Sequence, residues 1–143
     1  MSYLTALSLP LALLSLLFVS ACASTERAPE PEPPDLVGSW TVEEVLGTEV
    51  AGEGVYLAFA SDGSLSGSTG VNTLNGSWEV SEGTLSIPPL ATTRMAGPPE
   101  LMDQESRFTE ALGRARGWVV EDDGRLSLRD DAGETLLRAA PRP

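Results

Sequence analysis

Apolar and polar residues alternate in short runs along most of this chain, and polar turns cut the runs apart. Leu36, Gly38, Trp40 and Val42 fall on one face of an extended segment, as do Val55, Leu57 and Phe59. Leu74, Gly76, Trp78 and Val80 repeat the spacing. Leu85 with Ile87, Trp118 with Val120, and Leu126 with Leu128 continue it. A period of two marks a strand with one buried face. Between the runs stand "SDG" at 61–63, "NG" at 75–76, "SEG" at 81–83, "DDG" at 122–124 and "DAG" at 131–133. Glycine admits left-handed backbone, and Asp or Asn side chains bond to turn amides, so each of these reads as a reversal. Short runs between frequent reversals predict a curled antiparallel sheet or a small β-barrel.

One segment breaks the period. In "PPELMDQESRFTEALGRARG", residues 98–117, Leu101, Phe108, Leu112 and Ala115 recur at the spacing of a helix's apolar stripe. Pro99 suits a helix start, Glu100, Asp103 and Glu105 suit its positive end, and Arg114 and Arg116 its negative end. Asp103–Arg107 and Glu110–Arg114 have ion-pair spacing, and Gly117 is expected to supply a left-handed stop. The expected class is α+β, mainly β, with one helix packed across the sheet.

The first residues have another pattern. An uncharged apolar run from Leu4 to Val19 is short for a membrane span and ends in small residues, the outline of a secretory signal peptide over residues 1–21. Its leading segment lacks the usual Lys or Arg. Val19, Ser20, Ala21 and Cys22 resemble the bacterial lipobox, whose cysteine is acylated and becomes the mature N-terminus. Palmitate or a similar acyl chain on Cys22 would hold a small domain to the membrane. In a Gram-negative cell the non-acidic Ala23 implies sorting to the periplasmic side of the outer membrane. Residues 23–35, "ASTERAPEPEPPD", read as a stiff extended tether following the acylated cysteine. The folded domain is expected over residues 36–140, with 141–143 as a tail.

Composition narrows the chemistry. The 143 residues carry a net charge of −12 and contain no His, no Lys and one Cys, which is Cys22. Without His there is no Ser-His-Asp arrangement and no His-bearing zinc site; without Lys there is no P-loop lysine or Schiff base. The chain is read as no enzyme, with no cofactor and no metal. Its acidity disfavours nucleic acid and favours, as an alternative to a purely envelope role, a cationic protein such as lysozyme. No oligomeric state follows from the residues.

The remaining candidates are few. The doublets Glu43-Glu44, Asp122-Asp123 and Asp130-Asp131 place adjacent carboxylates on opposite faces of a strand or in turns beside Gly, which argues against acid–base work. Trp40, Trp78 and Trp118 match inward positions better than a sugar platform. In "TGVNTLNGSW", residues 69–78, Gly70 and Gly76 are expected to need unusual backbone angles, while Asn72 and Asn75 either satisfy turn amides or grip a polar ligand. Arg94, in "TTRMAG", is expected to meet a helix carboxylate such as Glu100 or a ligand.

Gly70, Asn72, Gly76 and Trp78, then Thr93, Met95 and Ala96, then Glu100 resemble three ordered blocks of the META/HslJ domain family of bacterial envelope and lipoprotein domains. That resemblance implies a role in envelope stress tolerance, through association with the heat-shock response and antibiotic resistance. Family members commonly carry cysteines in the first two blocks, expected to pair. Here Val71 and Gly97 stand in those slots, which leaves no redox role.

Overall fold

The computed structural model describes residues 35–143. The strand β1 (Gly38–Val45) turns through Leu46-Gly47 into β2 (Thr48–Glu49), then β3 (Tyr56–Phe59), β4 (Ser64–Ser68) and β5 (Thr73–Ser77) follow. A hairpin of β6 (Glu79–Ser81) and β7 (Thr84–Ser86) leads to the short β8 (Ala91–Thr92). The helix α1 (Pro99–Arg114) precedes β9 (Gly117–Val120), β10 (Leu126–Arg129) and β11 (Thr135–Pro141).

The architecture is mainly β with one helix. Nine strands form one antiparallel sheet in the order β8-β5-β4-β3-β1-β11-β10-β9, with β2 on the end of β1. Its centre pairs the first strand with the last, and Arg142 beyond it still donates its backbone N–H to Ser39 O at 2.9 Å. A bulge between Val42 and Glu44 shifts the β1–β11 register, so Val42 and Val45 both point inward although three residues apart.

Of the two sheet forms expected, the curled sheet is found and the closed barrel is not. Among the described residues no ladder joins the end strands β8 and β9. The strand β8 is only two residues long and follows Pro88-Pro89, which cannot donate to a ladder. The β6–β7 hairpin lies across the opening instead: Trp78 N–H donates to Gly63 O at 2.9 Å, and Leu85 N–H to Arg116 O at 2.8 Å.

The core lines the inner face. Leu57, Phe59, Leu65, Leu74, Leu126 and Leu128 are buried under Phe108, Ala111 and Leu112 of the helix, which packs against β1 and β11. Trp40 and Trp78 are buried, their indole N–H groups donating to Leu36 O and Ala60 O, both at 3.0 Å. Trp78 meets Phe59 edge-on at 5.6 Å between ring centroids. Trp118 is only half-buried at the margin, on an end strand with one neighbour. Among the described residues the core side chains lie between Leu36 and Ala139, and these residues belong to one compact unit.

Three local expectations need correction. The turn at Asn75-Gly76 is absent: both sit inside β5, opposite Ser66 and Leu65. The reversal comes earlier, where Thr69 N–H donates to Asn72 O at 2.8 Å and Gly70 adopts φ +94°. Gly76 serves close approach, not turning, because a Cβ there would stand 2.4 Å from Leu90 Cδ2. The helix start at Pro99 is observed, but its end is not a left-handed Gly117. The chain turns extended at Ala115, φ −60° and ψ 130°. Arg116 Nη1 donates to Gly113 O at 3.0 Å and Ala115 O at 2.6 Å, covering carbonyls the helix leaves open. Finally, Glu110–Arg114 pairs at 3.3 Å, while Asp103–Arg107 forms no ion pair among the described residues, Arg107 being half-buried.

Candidate functional site

The polar centre of the molecule is built around Asn72. The turn closing β4 onto β5 delivers this residue to an interior position where it is 1 % exposed. Its Oδ1 accepts from Met95 N–H and from the Thr93 hydroxyl, each at 2.7 Å. Its Nδ2 donates to Met95 O at 3.1 Å and to Glu105 Oε2 at 2.8 Å. A side-chain amide has two donor hydrogens and two acceptor lone pairs. All four are engaged.

Two helix residues complete the clamp. Glu105 Oε2 lies 3.0 Å from the buried Thr69 hydroxyl, which also accepts the Asn72 backbone N–H at 3.0 Å. Gln104 is 2 % exposed; its Oε1 accepts from Ala51 N–H at 2.7 Å. Its Nε2 donates to Thr69 O at 3.1 Å and Ala51 O at 3.2 Å. One turn of α1 therefore holds three loops, those at Ala51, Thr69–Asn72 and Thr93–Met95. Sequence reasoning missed Gln104, although its spacing from Leu101 and Phe108 puts it inside the apolar stripe.

Outside the clamp a shallow groove of about 370 Å³ is lined by Thr93, Arg94, Met95, Met102 and Glu105, with Asn72 at its base. Met95 is 60 % exposed. Arg94 is exposed and forms no ion pair with Glu100 or any other described residue. Asn75 is exposed on β5, and it lies three positions along extended chain from Asn72. Asn72 points in and Asn75 out, so the structure does not bring the two amides together as a grip.

Nor do the acidic doublets converge. Asp123 Oδ1 accepts the Arg125 backbone N–H at 3.0 Å, and Asp130 Oδ1 accepts those of Ala132 and Glu134 at 3.0 and 2.9 Å. The amide of Arg125, then its guanidinium, holds the Asp123 carboxyl below the usual carboxylate range. The Glu134 amide, then Arg114 and the Ala132 amide, do the same for Asp130. A lowered pKa keeps a carboxylate charged, the opposite of what a general acid needs. Glu43 pairs with Arg125 at 2.9 Å across a basin of about 340 Å³ that also takes in Glu44, Glu49 and Arg138.

A family model described as META domain matches residues 34–142. The chain belongs to the META domain family. Solved structures of similar shape accompany that match. A protein from Burkholderia xenovorans, solved by NMR, is 27% identical with a TM-score of 0.57, covering 80% of this chain and 93% of that one. A second NMR structure is 24% identical, TM-score 0.55, over 73% and 89% of the two chains. The crystal structure of a DUF4847 family protein from Bacteroides vulgatus, 19% identical with a TM-score of 0.53, covers 75% of this chain and 94% of that one. The latter two show the fold alone. No curated protein matches the chain. In the META body, the family blocks around Asn72, Thr93–Ala96 and Glu100 are the three segments that the clamp and the start of α1 draw together.

Proposed function

We propose that this chain is a non-enzymatic module of the bacterial cell envelope, anchored by lipid on Cys22 and acting in envelope stress tolerance. The observation that carries the reading is the order of its parts: an apolar leader ending in "VSAC", a single cysteine, a proline-rich tether, then a META body. The leader and Cys22 lie outside the described residues, so this support comes from sequence. A non-catalytic role is supported by the Asn72 clamp, whose amide groups are engaged internally, and by aspartates committed to turns. In a Gram-negative cell Ala23 favours the periplasmic face of the outer membrane.

Deletion of the gene followed by complementation tests the proposal. Wild type should restore growth under heat or envelope-active antibiotic, and Cys22→Ser, which lacks the thiol to be acylated, should not. Full rescue by Cys22→Ser would contradict the anchored role.

A second reading, capture of a cationic protein such as lysozyme, draws on the net charge of −12 and on Glu44 and Glu49, which make no ion pair among the described residues of the basin they share with Glu43, Arg125 and Arg138. It calls for retention of lysozyme that weakens steeply with salt.

A further inference from the structure

We infer that a second cleft, between the segment after β7 and the last turns of α1, binds a small monocarboxylate with an apolar body. The cleft holds about 480 Å³; Ile87, Pro88, Pro89, Leu90 and Leu112 supply its apolar wall, and Ser86 and Thr109 also line it. That volume lies in the range of small-molecule sites, ~300–1,000 Å³. Pro88 and Pro89 fix their own backbone and present no N–H, so the wall is rigid and apolar.

Charge identifies the occupant. In a chain of net charge −12, the one charged residue lining this cleft is Arg116. Its Nη1 is held by Gly113 O and Ala115 O, which orients the guanidinium plane. The Nε–Nη2 edge meets no partner among the described residues, and that edge matches a carboxylate in bidentate geometry. The neighbouring Arg114 differs: Glu110 at 3.3 Å and Asp130 at 3.1 Å occupy it. Those carboxylates do not line the cleft.

Gly113 is the independent observation. Glycine inside a helix costs ~1 kcal/mol relative to Ala. Its φ is not in the left-handed region, and a Cβ there would meet nothing within 4 Å. Neither backbone conformation nor packing calls for glycine at this position. Its missing side chain leaves bare helix facing the cleft, where an apolar chain lies flat.

The body of residues 35–143 is the test material, so failure here leaves lipid anchoring untouched. Octanoate, octan-1-ol and octylammonium are titrated separately while backbone amides are followed by NMR. Octanoate should give saturable shifts at residues 86–90 and 109–116. Octanol should bind about tenfold or more weakly, the loss of one charge-assisted pair, and octylammonium should leave those amides unmoved. Arg116→Gln should weaken octanoate to the level of octanol. Gly113→Leu should abolish octanoate binding with no fall in thermal midpoint, since it fills the cleft and favours the helix. Equal shifts from all three compounds, no saturable response to octanoate, or octanoate binding that survives Gly113→Leu would each overturn the assignment.

Discussion

At Asn72 four hydrogen bonds meet on one buried amide, and their partners come from two other segments of chain. Truncation to Ala would take the shared partner from Met95 N–H, from the Thr93 hydroxyl and from Glu105, all of which line the groove. A buried group left unpaired costs ~1–3 kcal/mol, and the loop and its partners relax only in part. Asn72→Ala is therefore expected to lower unfolding free energy by roughly 1–3 kcal/mol in urea, with the denaturant slope unchanged. An unaltered midpoint would show that the clamp holds nothing. The sequence left Asn72 between a turn residue and a ligand grip, and its side chain bonds to Thr93, Met95 and Glu105 instead of its own turn's amides. Its partners were not legible, because Glu105 lies 33 residues away along the chain and no local periodicity encodes that meeting. Gln104 was legible in principle, as a polar residue on an apolar stripe. The tryptophans divide: Trp40 and Trp78 are inside with their N–H groups paired, and Trp118 sits half-covered where the sheet ends.

Among the elements, three turns share one construction. In each an Asp carboxylate caps amides two or more residues on, and a glycine in left-handed backbone follows: Asp62 with Gly63, Asp123 with Gly124, Asp130 with Gly133. The Ser64 hydroxyl and amide lower the Asp62 pKa, as the Arg125 and Glu134 amides do for the others. Each folded-state value lies below the unfolded one. The stabilisation is thus complete above about pH 4 and fades as pH falls toward the folded values. With no His in the sequence, nothing of that kind titrates near neutrality. The thermal midpoint is expected to stay flat from about pH 5.5 to pH 8 and to drop below about pH 4. A sloping midpoint near pH 6.5 would contradict this. These turns were readable because their chemistry is local. Asn75-Gly76 has the same letters and no turn, since the fold needs Gly76 for contact with Leu90.

A second element-scale test concerns Val71 and Gly97. A Cβ placed on Gly97 would lie 3.5 Å from Val71 Cβ, within the range a disulfide spans. The paired cysteines that the family resemblance implies for these slots are therefore compatible with this backbone. The double variant Val71→Cys with Gly97→Cys is expected to oxidise spontaneously and to raise stability by about 2–4 kcal/mol over its reduced form. Thiol titration with and without reductant, alongside melting, checks it; two persistent free thiols would contradict the proximity.

For the molecule as a whole, the single helix and the inward faces of β1, β3, β7 and β10 were encoded in periodicity, and a curled antiparallel sheet followed, but β2, β4, β8 and the central β11 were not among the alternating runs. Whether the sheet closes was not encoded. Closure depends on whether β8 and β9 meet, and among the described residues no ladder joins them. The polar clamp and the Arg116 cleft lie on this folded body, whereas the proposed anchoring depends on Cys22 and the leader before it. Intact mass spectrometry of the protein extracted from bacterial membranes addresses that proposal most directly. The expected species begins at Cys22 and carries a diacylglyceryl group, with Cys22→Ser yielding no lipid adduct. A chain still beginning at Met1, or one cleaved and unacylated with a free thiol, would contradict the lipid-anchored account.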